Sequence, residues 1–326
     1  MLISGSRAPL LVAALIIVTL LWVLRSDILR FFENLGKRRK NSLKADVIQQ
    51  IKNASYITAP FDEMNLIPPF YRYSEFFRVA PKYHLSACHI EKVMTTIVDA
   101  IFCFINNATE FTANDRRIST EIYETRFCGD ENLHTNMARA REALGTPRVE
   151  FAVVRHPISR FLSGFVDKCI REARREPTRC YSCMGDMSCF VSKLASEMMA
   201  ALISGRTNTP GSSYELGHFS PQTWYCNFKN RLDDYIIIKY KGGADGAQET
   251  AKNFNDIFKR AKVPKKLRKE IRSEMLVGKT KHSTFGSSER ESARQTLMSN
   301  KTLLTQVTEL YYYDFIVFDF QLPILI

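Results

Sequence analysis

Two short apolar strands that run straight into amphipathic helices constrain this chain more than anything else in its 326 residues. The first strand is Tyr83–His89 (YHLSACH), and Val93, Met94, Ile97, Val98, Ile101, Phe102 and Ile105 follow it at helical spacing. The second is Glu150–Val154. After it come Pro157, at a first helical position where its missing N–H does no harm, and Phe161, Phe165 and Ile170 along one helix face. A third strand is expected over Tyr235–Tyr240. Helices are expected over Gln248–Lys262 and from Ser288 to about Tyr311, the latter opening with capping-box spacing between Ser288 and Glu291. Residues 171–189, basic and rich in cysteine, read as an irregular excursion. Strands alternating with helices predict an α/β fold around a mostly parallel sheet.

Composition narrows the class. A 45% hydrophobic chain of this length fills a real core, which excludes a disordered tail, a collagen-like chain and a small disulfide-stapled toxin. No fixed-period repeat points to a solenoid or propeller. Ala8–Leu24 is a 17-residue run without a charge, about 25 Å long as a helix, and predicts an uncleaved transmembrane anchor. The expected organisation is a tail over residues 1–7, the anchor over 8–24, a stem over 25–74 and a globular domain over 75–326. Residues 45–326 carry 38 basic and 32 acidic side chains, a moderately basic body that suits an anionic partner. No helix-turn-helix, RRM or zinc-finger pattern supports a nucleic acid as that partner.

In open α/β sheets ligands sit beyond the carboxyl ends of strands, against helix N-termini. Glu91-Lys92-Val93-Met94-Thr95-Thr96 falls at such a junction, with backbone N–H groups, two hydroxyls and one ammonium to offer a phosphate. It is not the G-x-x-x-x-G-K-[ST] loop of nucleotide triphosphatases, which the chain lacks. At the second junction Arg155 leaves a strand end and Ser163 follows two helical turns later. A guanidinium and a hydroxyl so placed suit one phosphate.

These residues resemble the two cofactor motifs of sulfotransferases that use 3′-phosphoadenosine-5′-phosphosulfate (PAPS). Lys92–Thr96 resembles the 5′-phosphosulfate loop, and Val154–Pro157 through Arg160–Lys168 resembles the 3′-phosphate motif. The longer match is similar to the Golgi carbohydrate sulfotransferases, the chondroitin 4-sulfotransferases and their nematode-type relatives among them. Cys180, Cys183, Cys189, the His218–Gln222 segment (HFSPQ), Trp224, Cys226 and Tyr313–Phe315 extend the likeness over residues 75 to 326. The family loop usually has a proline before the lysine and a small residue two after it. Here those positions hold Glu91 and Met94, and a carboxylate at 91 would have to point away from a phosphosulfate.

The resemblance implies a P-loop-like three-layer α/β sulfotransferase fold and a type II Golgi membrane protein with a luminal domain. The basic stretch after the anchor argues for the opposite orientation, but such charges bias topology without dictating it. The implied reaction moves a sulfo group from PAPS to a sugar hydroxyl, most plausibly the 4-hydroxyl of N-acetylgalactosamine in chondroitin or a related glycosaminoglycan. The rival readings are another glycan acceptor or a silent, membrane-tethered glycan-binding protein. Lys92, Val93, Met94, Thr95 and Thr96 would hold the phosphosulfate, and Arg155 and Ser163 the 3′-phosphate. His218 is the first choice of general base and His134 the second. Lys279–Thr284 is a candidate basic loop over the cofactor. No metal is required. In the implied oxidising lumen Cys180, Cys183 and Cys189 suit disulfides better than zinc, whereas Cys88 and Cys103, in a strand and an apolar helix, are expected as buried free thiols. Three sequons, at Asn53, Asn107 and Asn300, fit a luminal glycoprotein.

Overall fold

The structure, a computed structural model, describes residues 44–53, 61, 63–209, 213–277 and 284–325. The expected anchor and most of the 279–284 loop lie outside these residues. The chain divides into two units, Met1–Tyr56 and Ile57–Ile326. In the first, residues 44–52 are helical. The second carries everything that follows. Within it Leu66, Ile67 and Phe70, part of the expected stem, are buried, and Trp224 Nε1 donates to the Pro68 carbonyl over 2.8 Å.

Five strands form one sheet: β1 (Phe77–Ala80), β2 (Leu85–Cys88), β3 (Leu133–His134), β4 (Val149–Arg155) and β5 (Ile236–Tyr240), in the order β3-β1-β2-β4-β5. β2, β4 and β5 are parallel, with Cys88 opposite Ala152 and Arg155 opposite Tyr240. β1 is antiparallel to both β2 and β3, so the sheet is mixed rather than mostly parallel. The cause is local. A helical turn over Pro81–Tyr83 and a left-handed His84 (φ 47°) reverse the chain in four residues, too few for a parallel crossover. β3 escapes sequence reading because two residues are too short to show a pattern, and β1 (FRVA) because the buried Arg78 interrupts its apolar run. β4 is buried along six of its seven positions, the continuous apolar run of a central parallel strand.

Helices flank the sheet: α1 (Thr95–Asn106), α2 (Pro157–Gly164), α3 (Met187–Ser204), α4 (Tyr214–Phe219), α5 (Ala244–Arg260), α6 (Lys265–Val277), α7 (Ser288–Ser299) and α8 (Lys301–Leu310). The expected C-terminal helical stretch is broken at Asn300, whose side chain caps α8 through the Leu303 N–H. The cap of α7 is Ser287, one residue before the expected Ser288. α2 passes into a π-helical turn over Phe165–Glu172. That wider turn rotates the buried face, so Val166 and Cys169 go inside and Ile170 stays half-exposed. Among the described residues α3 alone is long and apolar enough to cross a bilayer, and it buries Phe190, Val191, Leu194 and Met198 in this unit.

Four disulfides use all eight cysteines: Cys88–Cys226, Cys103–Cys128, Cys169–Cys180 and Cys183–Cys189. Cys88 and Cys103 are therefore not the free thiols expected of them. Strand and helix patterns reveal burial but not the partner, and Cys226 lies 138 residues from Cys88. At Gly164 a Cβ would come within 2.7 Å of the Phe219 ring, itself packed on Phe161 and Phe190.

Alkylation of the denatured, unreduced protein is expected to label no cysteine. Replacing Cys88 and Cys226 together by serine should lower the unfolding free energy by about 2–5 kcal/mol, measured by chemical denaturation. Gly164→Ala should cost about 1–3 kcal/mol, because the aromatic cluster must shift to admit the methyl group.

Candidate active site

The carboxyl ends of β2, β4 and β5 meet at one edge of the sheet, and the loop of residues 89–94 crosses it. Two of its residues, Lys92 (φ 66°) and Met94 (φ 73°), adopt the left-handed conformation. This conformation favours glycine or a small residue, which accounts for the small residue usual at position 94 in the resembling loops. Met94 is also the N-cap of α1 and supplies no side-chain cap, so the first N–H groups of a 12-residue helix face the loop unsatisfied by it.

Two arginines of the second junction hold this loop by its carbonyls. Arg160 donates from Nε to the Glu91 carbonyl (2.8 Å), from Nη1 to that of Ser220 (2.8 Å) and from Nη2 to that of His218 (3.3 Å). Arg155 donates from Nη1 to the Lys92 carbonyl (3.2 Å). Its backbone is pinned by Gln222, whose Oε1 accepts from the Arg155 N–H and whose Nε2 donates to the Arg155 carbonyl, each over 2.8 Å. Asp314 in turn accepts the N–H groups of Gln222 and Thr223. Gln222 and Asp314, two positions of the family likeness, thus position Arg155.

The guanidinium of Arg155 also donates to Ser159 Oγ (3.2 Å) and lies 5.1 Å from the centre of the Tyr240 ring. Arg290, from the first turn of α7, reaches the same Ser159 Oγ (3.0 Å) and the Ser159 carbonyl (3.2 Å). Two cations therefore share one hydroxyl, and among the described residues no carboxylate pairs with either. Burial, with Arg290 and Arg160 beside it, lowers Arg155 to about 10. Because Ser159 Oγ accepts from both arginines, its own O–H is left to donate. The hydroxyl beside Arg155 is thus that of Ser159. Ser163 is buried one turn further along α2.

Lys92 faces the other way, into a cavity of about 690 Å³ whose wall includes Glu91, Thr95, Thr96, Tyr123, Lys168, Tyr214 and His218. Its ammonium is ion-paired with Asp167; burial lowers its pKa and Asp167 works against that. Lys168 pairs with Glu172 at 2.9 Å, and Tyr214 donates to the same carboxylate. His218 Nδ1 donates to the Tyr214 carbonyl (2.8 Å), which leaves the lone pair on Nε2. Burial outweighs the neighbouring Glu91 and takes His218 down to about 4, so it is neutral at physiological pH. Lys92, Thr95, Thr96 and His218 are thus brought together. His134 is not among them: it sits on the edge strand β3, opposite Phe77, and does not line the cavity.

Glu91 does not turn away from the cavity. One carboxylate oxygen accepts from His89 Nε2 (2.9 Å), His89 Nδ1 lies 3.4 Å from Asp99, and Asp99 receives both Nε and Nη2 of Arg78. Charges alternate along this buried row. Burial opposes the charge on His89, but Glu91 and Asp99 outweigh it and raise its pKa to about 10. Burial likewise opposes ionisation of Glu91, and His89 outweighs it, holding the carboxyl below its usual range. Sequence reading missed Arg78, Asp167 and Arg290; the last is 135 residues from Arg155 and carries no local motif. No group of three or more His, Cys, Asp or Glu among the described residues is placed to hold a metal ion.

An uncapped helix start, a lysine loop and two arginines that meet at one hydroxyl thus lie at the carboxyl edge of an α/β sheet, an arrangement of donors that suits anionic groups. The sulfotransferase family model matches residues 75–321, and the chain belongs to that family. It is 31% identical over 296 residues to carbohydrate sulfotransferase chst-1 of Caenorhabditis elegans, covering 89% of this chain and 86% of that one. It is 28% identical over 242 residues to vep-2 of the same organism, covering 72% and 74%. No solved structure matches it.

The His89–Glu91 pair sets a pH dependence of stability. His89, raised above its ordinary 6.5, contributes fully below that pH and loses its contribution as pH rises towards 10. Glu91, held below its ordinary 4.5, contributes above that value and is lost as pH falls. The pair therefore stabilises most between about 4.5 and 6.5. Denaturation at pH 5.5, 7 and 9 should show stability falling across the series. His89→Gln should flatten the decline, and a variant that falls as steeply would mean His89 carries no charge.

Proposed function

We propose that the protein transfers the sulfo group of PAPS to a hydroxyl of a glycan, and that the acceptor is the 4-hydroxyl of N-acetylgalactosamine in chondroitin. The observation that carries this reading is the pair of guanidiniums, Arg155 and Arg290, meeting at Ser159 Oγ with no carboxylate among the described residues to neutralise them. A 3′-phosphate is an anion of the right charge for that position, and few other nucleotides carry one. Arg155 also holds the carbonyl of Lys92, so filling the phosphate site steadies the loop that must hold the phosphosulfate. The glycan acceptor rests on the similarity to chst-1, and chondroitin on the motif likeness. The same likeness, together with four disulfides, supports a Golgi-anchored protein with its catalytic unit in the lumen.

In the reaction the acceptor oxygen forms a bond to sulfur as the bond from sulfur to the 5′-phosphate oxygen breaks, in line, releasing adenosine 3′,5′-bisphosphate. Lys92, the Thr95 and Thr96 hydroxyls and the open N–H groups of α1 stabilise charge on the departing phosphate. The hydroxyl proton goes to Nε2 of His218, which is neutral and has its tautomer set by the Tyr214 carbonyl. Asp167 keeps Lys92 in place until the anionic donor competes for it.

Calorimetry should detect adenosine 3′,5′-bisphosphate binding. Arg155→Ala and Arg290→Ala should each weaken it about ten- to hundred-fold while changing adenosine 5′-phosphate binding far less. Equal losses for both nucleotides would contradict the 3′-phosphate assignment. His218→Ala should lower kcat by about 10²–10⁴-fold. In the wild type kcat/KM should stay flat from neutral pH down to about 5 and fall only near 4, where His218 gains a proton. Disaccharide analysis of sulfated desulfo-chondroitin tests the acceptor and the position.

A further inference from the structure

One end of the molecule carries a charge that neither the fold nor the cavity uses. Residues 259–272, the end of α5, the turn and the first half of α6, contain Lys259, Arg260, Lys262, Lys265, Lys266, Arg268, Lys269 and Arg272 against the single acid Glu270. The other residues of 45–326 hold 30 basic and 31 acidic side chains, so this segment accounts for the entire positive excess of the body. All eight basic residues except Arg268 are exposed, and among the described residues none of those seven is in an ion pair. α6 buries Ile271, Glu274 and Met275 on one side and presents Lys265, Lys266, Lys269 and Arg272 on the other.

The arrangement works against folding. Lys265 and Lys266 occupy the first turn of α6, where the helix dipole disfavours cations, and Lys265–Lys269 and Lys269–Arg272 are like-charge pairs at helical spacing. A solvated helix face with no other task would mix in acids. The cavity, by contrast, has no net attraction for a polyanion: Glu91, Glu124, Asp167, Glu172 and Glu176 offset Lys92, Lys168, Arg171 and Arg175 in its wall. α6 is also tied to the cavity rim. Glu274 accepts from Arg117 (2.7 Å) and from the Ser119 hydroxyl (2.6 Å), and the same segment runs on to Tyr123 and Glu124 of the cavity wall.

We infer that the exposed cations of residues 259–272 form a docking surface for an anionic polysaccharide, binding a stretch of the acceptor chain outside the cavity that receives the reacting sugar. The inference rests on the proposed glycan acceptor and deepens it: the reacting unit is chosen in a charge-balanced cavity, and the chain is captured elsewhere by its carboxylates or sulfates.

The test compares the full chain with the variant Lys265→Gln/Lys266→Gln/Lys269→Gln/Arg272→Gln. For polymeric desulfo-chondroitin the variant should raise KM about ten-fold with kcat unchanged. For a chondroitin tetrasaccharide both constants should stay the same. The variant should leave immobilised chondroitin sulfate at lower salt than the wild type, and should be no less stable to heat. Unchanged KM for the polymer together with unchanged retention overturns the inference. So does a variant that loses binding only to phosphatidylserine vesicles, which would make the surface a membrane contact. If the wild type sulfates neither acceptor, the chondroitin reading fails, and the retention experiment alone then decides for or against polyanion docking.

Discussion

The side chain on which the site most depends is Arg160. It is buried, and one planar fork of donors satisfies three main-chain carbonyls from two segments: that of Glu91 in the lysine loop and those of His218 and Ser220 more than a hundred residues later. Carbonyl oxygens only accept, so only a rigid multi-donor group can gather three of them at one point. Without it each carbonyl would be left buried and unpaired at about 1–3 kcal/mol. The loop is in need of such a grip, since it holds both Lys92 and Met94 in a left-handed conformation. Among the described residues Arg155 and Arg160 direct their donors at carbonyls and hydroxyls rather than carboxylates. The scaffold is thereby held together while the positive charge stays available to a ligand.

The parallel half of the sheet and both junctions were legible in the sequence because short apolar runs bounded by turns and 3.6-residue periodicity are local signals. So were Lys92, Arg155 and His218, which sit inside contiguous motifs. The rest depends on residues distant in the chain. Nothing near Cys88 announces Cys226, and nothing in the first turn of α7 marks Arg290 as the partner of Ser159. The contact between Arg155 and Ser159, one helical turn apart, also carries no signal that sets it apart from other neighbouring hydroxyls in the motif. β3 was missed for want of length and β1 because Arg78 breaks its apolar run, and with them the mixed character of the sheet.

Glu91 shows how a chain can depart from a family pattern and remain self-consistent. A bare carboxylate beside an anion site would be unfavourable, yet here it ends a row of alternating charges that begins at Arg78 on β1 and passes through Asp99 and His89. Each member is balanced by its neighbour, so the row carries little net field despite its burial. The substitution at one loop position thus makes sense only with the buried arginine and histidine that accompany it.

The staple between Cys88 and Cys226 joins the two segments that bring Lys92 and His218 to one cavity. Cys88 is the residue before the loop that carries Lys92, and Cys226 closes the stretch that begins at His218. Oxidation of this pair therefore brings the Lys92 loop and the His218 segment into register by a covalent link. A chain synthesised where thiols stay reduced would have to hold the same register by packing alone. The alignment of the Lys92 loop with the His218 segment is accordingly tied to the redox state of one cysteine pair.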